Sequence, residues 1–380
     1  MRRKIATVAA ATALAAPAAV LADEGPTVYG FVNLSLDYEG YDGKDEDGDL
    51  AMNTGLSHFG IRGAEDLDDG LEAIYQAEVG WTYTGDSTGT AGQDKTVTYE
   101  GEEYTVSSED NWITQMRDSF VGLRGDFGQA TFGRQSAANQ FVYDGPGKEW
   151  VAQVGTPAGA LHQSLPSRYS NMVRYQAPGG QTAGGGEVDA QLSLVPSEGK
   201  DSQGDEPGDH VYNAYSSYKD GPASGSVSLW HGQGIAKDNK DNPTGGDVSV
   251  GSLAARYDLG VVQLGAQVSA QDSDSDADDA DNQAYALGMA APFEGKNRVK
   301  AIVTQLSADD DKHDYTTAAL GYDRFLSDRT EVRLAVASTF NDDDSDATPH
   351  AYGAYGPSSG VDPAKGETQS TVSANLRHTF

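Results

Sequence analysis

A strict two-residue alternation of apolar and polar side chains, present near both ends of the chain, constrains this sequence more than any other feature. In the last segment the apolar face consists of Val372, Ala374, Leu376 and Phe380. In the segment that begins at residue 27, the apolar face includes Val28, Val32, Leu34 and Leu36. Successive side chains of a strand point to opposite faces, so both segments suit a sheet with hydrocarbon outside and water inside. If these two ends pair, they close a barrel and remove the open edges that hydrocarbon does not tolerate.

The first 22 residues have the composition of a cleaved export signal. Basic residues at positions 2–4 precede an apolar, alanine-rich stretch that ends with small side chains at Ala22. A transmembrane helix is the alternative, but the stretch is short and Pro17 interrupts it. We therefore expect a signal peptide over residues 1–22 and a single mature domain over 23–380. No other segment approaches the run of about 18 apolar residues that a membrane-spanning helix needs.

Sixteen segments with a period of two residues follow one another along the chain, separated by turn residues. They lie at 27–38, 55–65, 71–83, 113–125, 128–135, 168–177, 187–196, 209–219, 223–231, 247–258, 261–270, 282–292, 297–307, 313–325, 329–340 and 369–380. An even number of antiparallel strands is what a closed bacterial barrel requires. The sequence therefore predicts an all-β protein: a transmembrane antiparallel β-barrel of about 16 strands.

The connections between these segments are of two kinds that alternate along most of the chain. One kind is short, as at 126–127 and 220–222. The other kind is long, with these ranges: 39–54, 84–112, 136–167, 197–208, 232–246, 271–281 and 341–368. Short turns on one rim and long loops on the other are typical of outer-membrane barrels, whose turns face the periplasm. A soluble secreted β-sheet binding protein, the alternative fold, would not show two unequal rims.

Several short segments resemble the general porins of Gram-negative outer membranes, and they occur in the order of that family. They are Thr27–Phe31, Ser57–Leu67, Ser119–Gly128, Thr131–Gln135, Arg168–Tyr175 and the terminal Phe380. The resemblance implies a homotrimer of sixteen-stranded barrels, each with its third loop folded inward to narrow the lumen. It also implies that Phe380 serves as the assembly signal, although His378 stands where an aromatic residue is more usual.

The resemblance further implies a pore constriction in which basic wall residues face carboxylates on the third loop. The matching wall positions are His58, Arg117 and Arg168, and Arg62 and Arg174 share the same lumen faces. His58 departs from the arginine that is usual in the family, so we expect a weaker positive side. The alternative is that these arginines are ordinary wall charges without a selective role.

Asp144 and Glu149 are the only carboxylates between residues 136 and 167, and they are the candidates for the negative side of the constriction. A transverse field of this kind orients dipolar solutes and separates the paths of ions. The alternative is that the two carboxylates only cap turns near residues 145–147. Glu78, inward on the third strand, is interpreted as a wall residue.

Charge is the second strong signal. Loss of the three basic residues of the leader leaves 23 basic against 58 acidic residues, a formal charge of −35. Much of the excess lies in long loops, including Asp272, Asp274, Asp276, Asp278, Asp342, Asp343 and Asp344. Acidic loops at the outer mouth concentrate cations and repel anions, and this charge excludes nucleic acid as a partner. The acidity is equally consistent with a halophilic bacterial host that keeps its external surfaces soluble.

The sequence therefore predicts an outer-membrane porin, not an enzyme, that passes small hydrophilic solutes and prefers cations. Its expected surroundings are outer-membrane lipid and lipopolysaccharide, and no cofactor or metal motif is evident. The stretch 272–283 spaces its aspartates like a calcium loop, but Ala277 and Gln283 replace the glycine and glutamate that such a loop requires. A solute-specific channel remains the main alternative, and a barrel-based outer-membrane enzyme is a weaker one because no histidine has a catalytic partner motif.

Overall fold

The computed structural model of the chain describes most of the predicted barrel. The described residues are 26–41, 48–81, 95–99, 102–106, 113–137, 143–161, 166–182, 185–196, 210–235, 246–274, 281–309, 311–349 and 365–380. The expected signal peptide over residues 1–22 lies outside them, as do Asp276 and Asp278.

Sixteen antiparallel strands form one closed barrel in this part of the chain. The first eight are β1 (Thr27–Tyr41), β2 (His58–Asp66), β3 (Glu72–Trp81), β4 (Ile113–Met116 and Ser119–Gly125), β5 (Gly128–Ser136), β6 (Arg168–Gln176), β7 (Glu187–Val195) and β8 (Val211–Asp220). The other eight are β9 (Ala223–Gly232), β10 (Val248–Asp258), β11 (Gln263–Ser273), β12 (Asn282–Phe293), β13 (Asn297–Ala308), β14 (Tyr315–Phe325), β15 (Thr330–Asn341) and β16 (Gln369–Thr379). Each predicted segment coincides with one of these strands, so the predicted fold class is confirmed.

The barrel closes where β1 pairs with β16 along its length, from Phe31 opposite Thr379 to Tyr41 opposite Gln369. The seam ends in two backbone hydrogen bonds, from the Gly30 amide to the Phe380 carbonyl at 3.2 Å and from the Phe380 amide to the Gly30 carbonyl at 3.0 Å. No strand edge of the barrel is left open at this seam, as hydrocarbon requires.

The two faces of the strands differ as the alternation predicts. On β1 and β16, Val28 and Leu376 are 61% and 50% exposed, whereas the inward Asn33 and Asn375 are 1% and 3% exposed. The outer face is therefore apolar and the inner face polar, which is the arrangement of a barrel with lipid outside. In the described part of the chain, no helix has the length and apolarity needed to span a membrane.

Two irregularities interrupt the simple alternation near the candidate site. β4 breaks at Arg117 and Asp118, where the Arg117 amide donates to the Glu78 carbonyl at 2.9 Å. β6 has a register shift between Tyr169 and Met172. Because an inserted residue re-aims its neighbours, the direction of side chains at these two places cannot be read from the sequence period.

Some predicted loop segments contain strands of their own. Asp49–Asn53 folds back onto the outer half of β1, Lys95–Tyr99 and Glu102–Val106 form a separate hairpin, and Gly180–Gln181 pairs with β7. These additions were missed because each is a short segment inside a polar connection.

The third loop, between β5 and β6, is folded into the barrel as the resemblance implies. Its described part holds a 3-10 turn, Pro146–Trp150, and a short helix, α1 (Ala158–Leu161). Trp150 and Val154 are buried against inward residues of β13–β15 that include Ile302 and Ala337. Gly155, at a φ of +80°, packs so tightly on β14 that an added Cβ would lie 2.3 Å from the Ala319 Cβ.

Candidate functional site

Hydrogen bonds from basic wall residues hold the inward loop by its backbone. Arg333 donates to the carbonyls of Val151 and Glu149, each at 2.7 Å. Lys300 donates to the Glu149 carbonyl and to the Gln153 side-chain oxygen, each at 2.6 Å. Charged donors make hydrogen bonds stronger than neutral ones do, so these contacts fix the loop on the β13–β15 wall.

A single buried carboxylate organises these basic residues. Asp323 on β14, which is 0% exposed, lies 2.9 Å from the Lys300 Nζ and 2.6 Å from an Arg298 nitrogen, with the Arg333 Nε at 3.6 Å. Burial of a charge requires pairing and hydrogen bonding. Asp323 therefore orients the cations that hold the loop.

Glu149, one of the two predicted loop carboxylates, is bound by a residue of β10. The guanidinium of Arg256 contacts both Glu149 oxygens, at 2.7 and 2.9 Å, and also donates to the Gly145 carbonyl at 2.8 Å. Burial raises the pKa of Glu149, but the hydrogen bonds and charge of Arg256 outweigh it and hold this pKa below its usual value. Glu149 is thus an ionised anchor of the loop.

Asp144, the other loop carboxylate, lies against β8. The Tyr215 hydroxyl donates to its Oδ2 at 2.7 Å. Burial raises the pKa of Asp144 above its usual value, although hydrogen bonds from Tyr215 and Ser226 act in the opposite direction. The pKa values of the two loop carboxylates are therefore shifted in opposite directions, that of Asp144 upward and that of Glu149 downward.

The predicted basic residues lie on the wall formed by β2–β6, where carboxylates accompany them. Arg117 forms an ion pair with Glu78, which also accepts a hydrogen bond from Tyr29 at 2.8 Å. The His58 Nε2 lies 3.8 Å from the same carboxylate. Arg62 stacks over the Tyr29 ring at 4.7 Å. Glu78 is therefore the centre of a charged cluster rather than only a wall residue.

Arg168 and Arg174 lie at a second group of polar residues on this wall, around Asp118 and Ser136. The Arg168 Nε lies 2.7 Å from Asp118, which also accepts from the Ser136 hydroxyl at 2.8 Å. Arg174 donates to the Ser136 carbonyl. The structure thus brings all five predicted basic residues to one side of the barrel, together with two carboxylates that sequence reasoning did not assign to the site.

The expected opposition of these arginines and the loop carboxylates across the lumen stays a prediction, since the two groups have separate contacts. Among the described residues, no hydrogen bond or ion pair joins Arg117 or Arg168 to Asp144 or Glu149, because the loop directs these carboxylates toward β8 and β10. Burial raises the pKa of Tyr143 on the same loop, against the smaller opposing effects of a hydrogen bond with Thr156 and of the charges of Arg117 and Arg168. The loop therefore lies between two separate charged walls.

Sequence reasoning missed the second wall: Arg256, Arg298, Lys300, Asp323 and Arg333. The alternation does place Arg333 inward, so a signal existed for its direction. Nothing in the sequence indicated that the third loop would contact Arg333, because the hydrogen bond joins residues more than 180 positions apart. Asp118 was missed because it lies at the break in β4.

The acidic loop residues that the sequence singled out lie at the long-loop rim where the structure describes them. Asp272 and Asp274 are exposed at the end of β11, and Asp342 and Asp343 are exposed just after β15. Asp344 is half-buried and lies 3.8 Å from Lys312. These five aspartates thus add negative charge to the long-loop mouth of the barrel.

A closed barrel of sixteen antiparallel strands, apolar outside and polar inside, with a loop packed in its lumen, defines an outer-membrane channel. The sequence matches the Gram-negative porin family over residues 6–344, and the chain belongs to this family. It is therefore a channel of the bacterial outer membrane and not an enzyme.

Individual relatives agree with this assignment. The chain is 28% identical to outer membrane porin protein 32 of Delftia acidovorans, with 97% of each chain covered. The fold is similar to that of the anion-selective porin from Comamonas acidovorans, with a TM-score of 0.66 and 23% identity over 94% of this chain and 99% of that chain. It is also similar to OmpT of Vibrio cholerae, with a TM-score of 0.61 and 14% identity over 96% of this chain and all of that chain.

Proposed function

We propose that the chain forms a water-filled channel for passive diffusion of small hydrophilic solutes and ions, and that its outer mouth favours cations. The observation that carries the preference is the exposure of Asp272, Asp274, Asp342 and Asp343 at one rim. Like charges around a mouth raise the local concentration of counter-ions. The alternative explanation is that the acidity is an adaptation to salt. It predicts the same acidic surface but no preference for cations over anions.

A preference for anions is the second candidate function, and the arginines that line the lumen favour it. Around Glu78 and Asp118 on the β2–β6 wall, four arginines (Arg62, Arg117, Arg168 and Arg174) accompany the two carboxylates, so this group of residues has a positive excess. The related Comamonas acidovorans porin is named as anion-selective. Mouth charges are exposed and strongly screened, whereas partly buried lumen charges are screened less, so the two candidates predict different salt dependence.

The narrowest zone in this proposal lies between the inward loop and the two charged walls. Its basic side consists of His58, Arg62, Arg117, Arg168 and Arg174, and its acidic loop residues are Asp144 and Glu149. The loop that carries both carboxylates is held at several points, which supports a rigid narrowing rather than a loose plug. A solute-specific channel is the alternative within this proposal, since the same charged walls can orient a particular dipolar solute.

A homotrimer in outer-membrane lipid and lipopolysaccharide completes the proposal. It is supported by family membership and by the related OmpT of Vibrio cholerae, one structure of which is described as a trimer form. The apolar outer face described above is the surface that lipid and neighbouring subunits would cover.

Reversal potentials in a salt gradient across planar bilayers test the selectivity. Replacing the six aspartates at 272, 274, 276, 278, 279 and 281 by asparagine should shift the reversal potential toward anions at low salt. At about 1 M salt, where the Debye length is about 3 Å, the shift should nearly vanish. The matched control is Asp258→Asn with Asp328→Asn at the short-turn rim, which faces the other mouth. An unmodified channel that prefers anions at low salt would establish the second candidate instead.

A further inference from the structure

The inner face of the closing seam contains a buried group of polar side chains near the long-loop end of β1. Asp37 lies directly opposite Ser373, and Ser35 lies directly opposite Asn375. Cβ atoms of directly opposite residues are about 4.5–5.5 Å apart, and residues two apart on one strand share a face. These four side chains therefore form a compact square on the lumen side.

Several oxygens in this square have no hydrogen-bond partner. They are the Asp37 Oδ1, the Ser373 Oγ and the Asn375 Oδ1, and the Asn375 Nδ2 is also unpartnered. Asp37, Ser373 and Asn375 are 1%, 2% and 3% exposed. Because both ends of the Asn375 amide are free, either rotation can direct its oxygen into the square. Such groups are costly to bury unless something binds them.

Asp37 also lacks a counter-charge. Its Oδ2 accepts hydrogen bonds from the Ser35 hydroxyl at 2.7 Å and from the Asn53 amide at 2.6 Å. Neutral donors therefore position this carboxylate, and no ion pair involves it among the residues that the structure describes. Every other deeply buried carboxylate discussed above, at Glu78, Glu149 and Asp323, is paired with an arginine or lysine.

We propose that the seam binds a calcium ion, with the Asp37 Oδ1, Ser373 Oγ and Asn375 Oδ1 as ligands. Hard cations take carboxylate, amide and hydroxyl oxygens, and calcium accepts irregular sets of them together with water. Magnesium demands a near-ideal octahedron and keeps its water, which a fixed pair of strands suits poorly. Glu39, 0% exposed and two residues along the same face, adds negative charge beside the site.

The site differs from the clusters that transition metals use. Within the described ranges, no group of three or more histidine, aspartate and glutamate side chains could hold a metal. The seam instead combines one certain carboxylate with neutral oxygens from two strands. A bound ion would join the first strand to the last and would place positive charge on the lumen wall near the outer mouth.

Calcium titration of the folded barrel in nonionic detergent, after treatment with EDTA, tests the proposal. Isothermal titration calorimetry in about 0.5 M NaCl screens loose binding by the exposed loops. The parent should bind one ion per chain in a saturable manner, and Asp37→Asn should weaken this binding about tenfold or more. Ser373→Ala combined with Asn375→Leu keeps the charge but removes two ligands, and it should weaken binding as well.

The control is Asp343→Asn, which removes an exposed loop carboxylate and should leave binding unchanged. Heat-modifiable mobility shows that each variant is folded. Calcium should also raise the unfolding temperature of the parent but not that of Asp37→Asn. If Asp37→Asn does not fold, the double variant alone decides. Absence of saturable binding in the parent, or equal binding in all variants, would overturn the proposal.

Discussion

At the scale of single residues, many of the charged side chains that line the lumen are buried as ion pairs. Arg117 and Glu78 are 7% and 6% exposed and form an ion pair, with His58 and Tyr29 on the same carboxylate. Removing one member of such a pair leaves the other uncompensated, which typically costs more than the pair itself contributes. The role of Arg117 in the channel therefore depends on Glu78.

We expect Glu78→Gln to make the lumen more positive and to shift the reversal potential toward anions. The same change should destabilise the folded barrel by about 3–5 kcal/mol, because Arg117 stays buried without its partner. Planar-bilayer recording and denaturant unfolding measure the two effects. Glu72→Gln, whose partner Arg124 is about a quarter exposed, is the matched control and should change both values little. An unchanged reversal potential in Glu78→Gln would remove Glu78 from the selective zone.

Asp144 should give the channel a pH dependence. Burial raises its pKa, so on acidification it takes up a proton before ordinary aspartates do, and the cost of burying its charge is relieved as the pH falls from the raised pKa to the usual one. The depressed pKa of Glu149 has the opposite consequence: the stabilising contribution of Glu149 is complete above the usual glutamate pKa and is lost progressively as the pH falls from there through the depressed pKa.

Lowering the pH toward the usual carboxylate range should therefore reduce cation preference first through Asp144, while the loop stays anchored. In Asp144→Asn this first phase should be absent. Reversal potentials recorded over a pH series check this expectation. A parent and an Asp144→Asn variant with identical pH profiles would contradict it.

At the scale of elements, the inward loop depends on a wall to which it is not adjacent in sequence. Arg256 on β10, Lys300 on β13 and Arg333 on β15 all donate to loop atoms between Gly145 and Gln153. Three strands thus fix one loop. A loop held at several points narrows the lumen permanently. It is not expected to move and close the channel.

Arg256→Gln should loosen the loop, because it removes the two-pronged contact with Glu149 and leaves that buried carboxylate unpaired. We expect more open-channel current noise and closure at lower applied voltage than in the parent. Single-channel recording measures both. The control Arg324→Gln removes an arginine that contacts Asn297 at the short-turn end and should leave the noise unchanged. Unaltered noise in Arg256→Gln would show that the remaining anchors suffice.

The strands were predictable and the anchors were not, for a physical reason. A strand has a local period of two residues, so β1 or β16 can be identified from a dozen consecutive side chains. The contacts of Arg333 and Lys300 depend on where a distant loop folds, and no local period encodes that. The ion pair of Arg117 with Glu78 was missed for the same reason: the alternation placed Glu78 inward but did not indicate which residue it would contact.

At the scale of the whole molecule, one closed sheet carries exposed aspartates at its long-loop rim and paired charges in its lumen. The sheet closes only through β1 and β16, so its integrity depends on the final residue as much as on the first strand. Phe380 contributes two backbone hydrogen bonds to Gly30 and an aromatic side chain that is 39% exposed on the outer face.

Deleting Phe380 should lower the amount of heat-modifiable protein recovered in the outer membrane. The deletion removes the last pairing of the seam together with the aromatic side chain. Phe380→Ala keeps the backbone hydrogen bonds and separates the two contributions. Fractionation followed by gel mobility with and without heating measures the result. Normal assembly of the deletion variant would remove Phe380 as an assembly signal.

The pairing of Gly30 with Phe380 also bears on the connectivity of the barrel. Because the start of β1 and Phe380 lie together at one rim beside the short turns, the order of strands around the barrel is cyclic, and its starting point is arbitrary. A short linker from residue 380 to residue 26, with new ends opened in the exposed turn at 221–222, would preserve every strand pairing. Such a circular permutant would keep the Phe380 side chain in the seam while removing its terminal position. It would therefore separate the two roles that this residue combines in the natural order.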